Sequence, residues 1–289
     1  MQDRSGEFER HRPRLFGIAY RMLGSRTDAE DVLQDAYLRW HRGVPEELRS
    51  TDAWLVTTVT RLCIDRLRAA RTEREHYVGP WLPEPLIGDA APAADVRAEL
   101  ASSLSIAFLV VLEQLDPDER AAFLLHEVFE TDYAEIAEIL GKSEAACRQI
   151  VSRARRRVRG RRPRARVTDA ARRSILERFA HAIQTQDKAA LLELVAVKAS
   201  WTSDGGGRTR AALKVIRGRE LVVRFALGVL GRHADMFTFE MTSVNGEPAL
   251  SVRAEGKLFS VITVRTDGMS ILDVYTVLNP HKLAHQEAT

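Results

Sequence analysis

Cysteine is nearly absent: the 289 residues include two, Cys63 and Cys147. That excludes a disulfide framework or a four-sulfur metal site, and both fall on apolar faces of predicted helices, so they read as small core side chains in a reducing cytoplasm. No metal or cofactor is expected. No apolar run approaches the roughly 18 residues of a membrane span, and the charged opening MQDRSGEFERHRPR has no secretory-signal stretch. A large excess of one charge is missing too. The net charge is +3, with 27 basic and 27 acidic residues in 1–166 and 16 and 13 in 167–289. Any surface for a polyanion must therefore be local. There is no internal repeat, and the length suits two or three domains.

The local basic surface is in TDYAEIAEILGKSEAACRQIVSRARRRVR, residues 131–159. Asp132 and Glu135 form a capping box, Ile136, Ala137, Ile139 and Leu140 give a short helix its apolar side, and Gly141 ends it. Ser143 caps a second helix, on which Cys147, Val151, Ala154 and Val158 share a face. Arg148, Gln149, Ser152, Arg153, Arg155 and Arg156 lie off it. From Ala145 to Thr168 there are ten arginines and no acid. Two helices joined by a tight turn, with long donors exposed on the second, are the geometry of a recognition helix in a major groove. Arg148 and Gln149 suit base edges, and the trailing Arg155 and Arg156 suit phosphates. The plainer alternative is a solvated helical hairpin, against which the turn, spacing and unbalanced charge coincide.

Upstream, Phe8–Leu23 has helical apolar spacing and stops at Gly24. DAEDVLQDAYLRW follows a predicted Thr27/Glu30 capping box, with Ala29, Val32, Leu33, Ala36, Tyr37 and Trp40 on one face and Glu30, Asp31, Gln34 and Asp35 on the other. That acidic stripe is either solvated or made for a basic partner. A third helix, AWLVTTVTRLCIDRLRAARTERE, presents Thr57, Thr60, Arg61 and Arg68 outward. Trp54 is either a core side chain or a platform for an unstacked base.

DAEDVLQDAYLRW, then AWLVTTVTRLCIDRLR, then LDPDERAAFLLHEVFETDYAEIAEILGKSEAACRQIVSRARRRV, over residues 8 to 160, resemble bacterial extracytoplasmic-function sigma factors. The resemblance implies two all-α sigma domains, the second a helix-turn-helix. It places Glu30, Asp31, Gln34 and Asp35 against core RNA polymerase, the segment from Arg42 through the third helix at the minus-10 promoter element, and the helix-turn-helix at the minus-35 element. The expected boundaries are 1–78 for the first domain, 79–98 for a linker and 99–166 for the second domain.

The linker contains WLPEPL, whose Trp81, Leu82 and Leu86, broken by Pro83 and Pro85, would be costly to leave in water and so should dock. WLPEP, which includes Glu84, resembles the signature of a sigma subgroup carrying a SnoaL-like C-terminal extension. SDGGGR (Asp204, Gly205, Gly206, Gly207, Arg208) and NPHKL (Asn279, Pro280, Lys282, Leu283) resemble the same subgroup, with His281 where its signature has Asp. Residues 167–289 are expected to form this α+β, SnoaL/NTF2-like regulatory domain. Helices at 170–183, 188–195 and 220–230 lead to four strands joined by Asn245-Gly246, Glu255-Gly256 and Asp267-Gly268 turns, hence a curved antiparallel sheet around a cavity for a small-molecule ligand. DGGGR lacks the Lys-Ser/Thr and strand of a phosphate-binding loop. Asp204, Arg208, His233 and Asp273 could alternatively serve as acid-base groups of a SnoaL-type enzyme tethered to a DNA-binding region. A repressor acting without polymerase would use the same basic helices but would not need the acidic stripe. The reading favoured by the residues is a transcription initiation factor, not an enzyme, whose WLPEPL, DGGGR and NPHKL segments meet.

Overall fold

The computed structural model describes residues 4–43, 50–88, 104–159, 167–230 and 235–284. The chain forms two compact units. One comprises residues 1–75, 94–103 and 108–162, and the other 76–93, 104–107 and 163–289.

In the first unit, α1 (Arg4–Leu23), α2 (Arg26–Arg42) and α3 (Thr51–Glu75) pack on one another. Leu15, Ile18, Val32, Leu33, Leu55, Val59 and Cys63 are all buried at 2% exposure or less. The N-cap of α2 is Ser25, whose hydroxyl accepts from Asp28 N at 3.2 Å, so the predicted Thr27 box is displaced by two residues. Helix α4 (Ile106–Leu112) precedes α5 (Pro117–Glu127), and α5 packs on α1 and α3. The short α6 (Tyr133–Leu140) is capped by Asp132 as expected, through Glu135 N at 2.8 Å, and closes on Gly141 at φ 63°. That left-handed turn suits glycine, which lacks the Cβ that makes it costly. Ser143 Oγ accepts from Ala146 N at 3.2 Å, and α7 (Glu144–Arg159) follows.

In the second unit, α8 (Asp169–Gln184) and α9 (Lys188–Leu194) precede β1 (Val195–Asp204) and β2 (Ile216–Arg217). Then come α10 (Arg219–Val229), β3 (Phe237–Val244), β4 (Glu247–Ala254), β5 (Lys257–Thr266), β6 (Ile271–Val277) and the single turn α11 (Pro280–Leu283). The sheet has the order β2-β1-β6-β5-β4-β3. It is mixed and not wholly antiparallel as expected, because β1 lies parallel to β6. The three hairpins are present, with Asn245, Gly246, Glu255 and Gly256 all at positive φ and Gly268 at 94°. Helices α8 to α10 cover one side of the sheet, burying Phe179, Leu191, Trp201, Val223, Leu250, Ile262 and Val274.

Candidate nucleic-acid interface and linker clasp

Alternation of buried and exposed positions sorts α7 into two faces. Cys147, Ile150, Val151, Ala154 and Val158 are buried, while Arg148, Gln149, Ser152, Arg153 and Arg156 are exposed and Arg155 is half-buried. Arg148 donates to Glu144 Oε2 at 2.6 Å and lies 5.1 Å from the Tyr133 ring centroid, so the first residues of both helices of the motif position it. Arg155 is bound to Glu127, and Arg153 lies 3.9 Å from Glu119. At these exposures such pairs add little stability and exchange readily for another anion. Ser152 and Gln149 stand between the arginines on the open face.

On α2, Asp31, Gln34 and Asp35 are exposed and Glu30 is half-buried. Arg66 bonds Asp28 and reaches Asp31 Oδ2 at 2.9 Å, and Arg12 reaches Glu30 at 2.5 Å. Gln34 and Asp35 thus continue a stripe that begins at three ion pairs.

The residues expected on the outer face of α3 divide. Arg61 and Arg68 are exposed and Thr57 is half-buried. Thr60 is corrected: it is 0% exposed, and it follows Val56 by four residues and precedes Cys63 and Leu67 by three and seven, on the buried stripe itself. Trp54 is half-buried, its ring 5.6 Å from that of Trp40, so it is seated against the core while keeping an open edge. Part of the segment after Arg42, residues 44–49, lies outside the described residues.

The second unit brings WLPEPL, DGGGR and NPHKL together around one carboxylate. Asp204, at the end of β1, is 0% exposed. Its oxygens accept from Tyr77 Oη at 2.6 Å, Leu82 N at 2.8 Å, Lys282 Nζ at 2.7 Å and Gly206 N at 3.1 Å. Lys282 also donates to Leu82 O at 2.5 Å, and its ammonium stands 4.2 Å from the Trp81 ring centroid. A buried carboxylate with an ammonium and three further donors is fully compensated, the condition under which a buried charge is tolerated. Asn279 Nδ2 donates to Tyr77 Oη at 2.9 Å, while its Oδ1 caps α11 through His281 N. Burial first, then the neighbouring Asp204, pushes the Tyr77 phenol's pKa up, keeping it a donor.

The glycines permit this approach. A Cβ on Gly206 would lie 2.3 Å from Asn279 Nδ2, at a φ of 58°, and one on Gly205 would lie 2.4 Å from Thr209 O. Around them, Leu82 and Leu86 are 0% exposed and Pro83, Glu84 and Pro85 are buried. Pro280 starts α11 and Leu283 is buried, whereas Arg208 and His281 are exposed.

A second anchor was missed in the sequence. Asn245, expected only as a turn residue, is 0% exposed. Its Oδ1 accepts from Leu86 N at 2.9 Å, its Nδ2 donates to Leu104 O at 2.8 Å, and its backbone N donates to Leu86 O at 2.7 Å. Tyr77 was missed as well. No local spacing announces either, since their partners are 127 to 202 residues away for Tyr77 and 141 to 159 for Asn245. Of the acid-base grouping, Asp204 serves the linker, Asp273 pairs with Arg265 and Ser200, Arg208 is exposed, and His233 lies outside the described residues.

Among the described residues no group of His, Cys, Asp and Glu is placed to hold a metal, and no helix is long and apolar enough to cross a membrane. The Sigma-70 region 2 family matches residues 8–73, and the Sigma-70, region 4 family matches residues 105–158. The chain is 39% identical to ECF RNA polymerase sigma factor SigJ of Mycobacterium tuberculosis over 96% of its own length and 92% of the relative's. It is 34% identical to a probable ECF RNA polymerase sigma factor, SigI, of the same species, over 66% of each chain. Its fold matches the crystal structure of Mycobacterium tuberculosis SigJ at a TM-score of 0.76 and 34% identity, covering 97% of this chain and 98% of that one.

Proposed function

The chain belongs to the extracytoplasmic-function (ECF) RNA polymerase sigma factors, and from that membership we propose how its parts share the work of starting transcription. It binds core RNA polymerase and directs promoter-specific initiation. The acidic stripe of α2, Glu30, Asp31, Gln34 and Asp35, docks on polymerase. Trp54, Thr57, Arg61 and Arg68 engage the minus-10 element, with Thr60 shaping the helix from its buried side. Helix α7 reads the minus-35 element, Arg148, Gln149 and Ser152 at base edges and Arg153, Arg155 and Arg156 at phosphates.

The C-terminal SnoaL-like domain regulates this by holding the linker between the two DNA-binding regions. The observation that carries the reading is Asp204, buried in the C-terminal fold and bonded to Tyr77 and Leu82 of the chain that follows α3. A held linker fixes how far apart the two promoter readers can range, and so their effective concentration on one promoter. A small molecule in this domain would shift the balance only by binding the held and released states unequally. With Asp204 and Asp273 committed to structural partners, an enzymatic role gains no support from these residues.

The test is transcription in vitro with core polymerase on the chain's own upstream DNA. Asp31→Arg with Asp35→Arg is expected to weaken core binding about a hundredfold, since like-charge juxtaposition costs several kcal/mol, with circular dichroism unchanged. Core binding at the wild-type level would remove the stripe from the polymerase interface.

A further inference from the structure

Helix α10 is apolar on two sides. Val222, Val223 and Ala226 face the core of the C-terminal unit, each at 1% exposure or less, while Leu221, Arg224, Phe225 and Gly228 recur at i, i+3, i+4 and i+7 as a second stripe. A helix that is apolar all round belongs inside a protein, yet Leu221 is 45% exposed and Val229 40%. The second stripe borders a groove. Its volume is about 640 Å³, and Val215 and Ile216, at the edge strand β2, line it together with Leu221, Phe225 and Val229 of α10. The Phe225 ring meets Trp201 of β1 edge-on, with centroids 5.4 Å apart, which anchors this lining to the core. Gly228 keeps the groove open: a Cβ there would meet nothing within 4 Å beyond its own helix. That size and a mainly apolar lining are the features of a small-molecule site.

The charged groups of the groove are of one sign. Arg217 and Arg224 line it, and both are exposed. Among the described residues neither is held by a hydrogen bond or an ion pair. Arg219, between them in sequence, is used by the fold instead, donating to Val195 O at 2.7 Å. From Leu213 to Val229 there are four basic residues and one acid, Glu220, which is not part of the lining. Two free guanidinia beside an apolar wall match a ligand with an anionic head and a hydrocarbon body, because each guanidinium offers a planar fork to a carboxylate. A nucleic-acid backbone would pair with the same arginines but would leave Leu221 and Val229 in water.

We propose that this groove binds a free amphiphilic carboxylate, an acid with an aliphatic tail, whose head meets Arg217 and Arg224 and whose tail covers Leu221, Phe225 and Val229. The ligand is taken from solution and not from a membrane surface. Strand β1 carries both this site and the linker clasp, since Trp201, against which Phe225 packs, precedes Asp204 by three residues. The proposal names the ligand class through which the regulation described above would act, and that consequence alone rests on the earlier reading. Binding itself does not.

The experiment is calorimetric titration of the full chain with decanoate below its micelle concentration. Saturable binding at one site is expected. Octanoate should bind about fifteenfold more weakly, the effect of two methylenes at about 0.8 kcal/mol each. Decyltrimethylammonium, with the same tail and the opposite charge, should bind at least about tenfold more weakly than decanoate. Arg217→Gln with Arg224→Gln, both on the surface, should remove that preference and leave the thermal midpoint unchanged. Gly228→Trp, which fills the groove from a position with open space, should abolish decanoate binding. Absence of saturable decanoate binding, equal affinity of the wild type for the two charges, or wild-type decanoate affinity in both variants would overturn the site. So would binding to vesicles of phosphatidylcholine and phosphatidylglycerol without binding of free decanoate, which would make the patch a membrane contact. Failure of the sigma assignment is a separate result: wild-type protein that does not start transcription with core polymerase, whatever the heat of decanoate binding.

Discussion

Asp204 is the residue on which most partners converge, and its loss should be felt more than its size suggests. Asp204→Asn removes the charge opposite Lys282, whose side chain is 12% exposed, and an ion left buried without its partner costs about 3 kcal/mol. Pairing it with Lys282→Met should restore much of that stability, which urea unfolding followed by tryptophan fluorescence would measure; equal midpoints for single and double variants would show that the pair is not the source. Gly206→Ala should release the linker by a different route, through collision with Asn279 and a left-handed backbone. Limited proteolysis near Trp81 should then accelerate, and an unchanged cleavage rate would contradict the close approach. Of this cluster the sequence made Asp204, Lys282, Asn279 and the glycines legible, because they sit in recognisable short segments. Tyr77 and Asn245 looked ordinary: a tyrosine after a helix and the first residue of a hairpin turn. What makes them matter is a partner supplied by the tertiary fold, and local spacing carries no record of it.

At the scale of elements, amphipathic helices were the most legible part. Their apolar stripes face a neighbouring helix on one side and water on the other, so a period near 3.6 survives in the residues. Thr60 shows where that fails: a threonine on the stripe reads as polar and was placed outside. Strand β1 was missed for a related reason. Its second half, Ala199–Asp204, is buried at every position, so the alternation that marks a half-exposed strand is gone. Its main partner, β6, is parallel and some 70 residues away, so no hairpin turn announces it. That is why a wholly antiparallel sheet was expected and a mixed one is present. Helix α7 yields the prediction that belongs here. Arg148→Ala or Gln149→Ala should change preference among minus-35 sequences, with about 1 to 3 kcal/mol lost on the preferred one. Arg156→Ala should weaken all sequences alike and flatten the dependence on salt. Quantitative binding to a small panel of duplexes separates the two, and an identical sequence profile for Arg148→Ala would place the reading face elsewhere.

For the whole molecule, residues 76–88, which carry WLPEPL, belong to the C-terminal unit and not to the unit of the DNA-binding helices. Removing residues 168–289 therefore does more than delete a regulator. It uncovers Leu82 and Leu86, both 0% exposed, at a cost of about 2 kcal/mol each. The truncated chain should aggregate, and Leu82→Ser with Leu86→Ser should restore solubility. In that soluble form transcription output should differ from the full chain while the DNA affinity of region 4 alone stays nearly the same. Output equal to the full chain's would leave the C-terminal domain without influence on initiation. The resemblance of the three short segments pointed to this union, but which side chains make it was set by the fold.

Asn245 grips the chain at both Leu86 and Leu104 with one carboxamide. Leu86 and Leu104 are thereby held by one side chain, and whatever chain joins them closes a loop. Lengthening a closed loop is cheap, about 0.6 kcal/mol for each doubling. Evolution or an engineer could thus splice a foreign peptide, a protease site or a reporter into it without altering the register of the parts on either side. A single cut there would leave the ends stapled to the same asparagine, as in a split protein that stays whole.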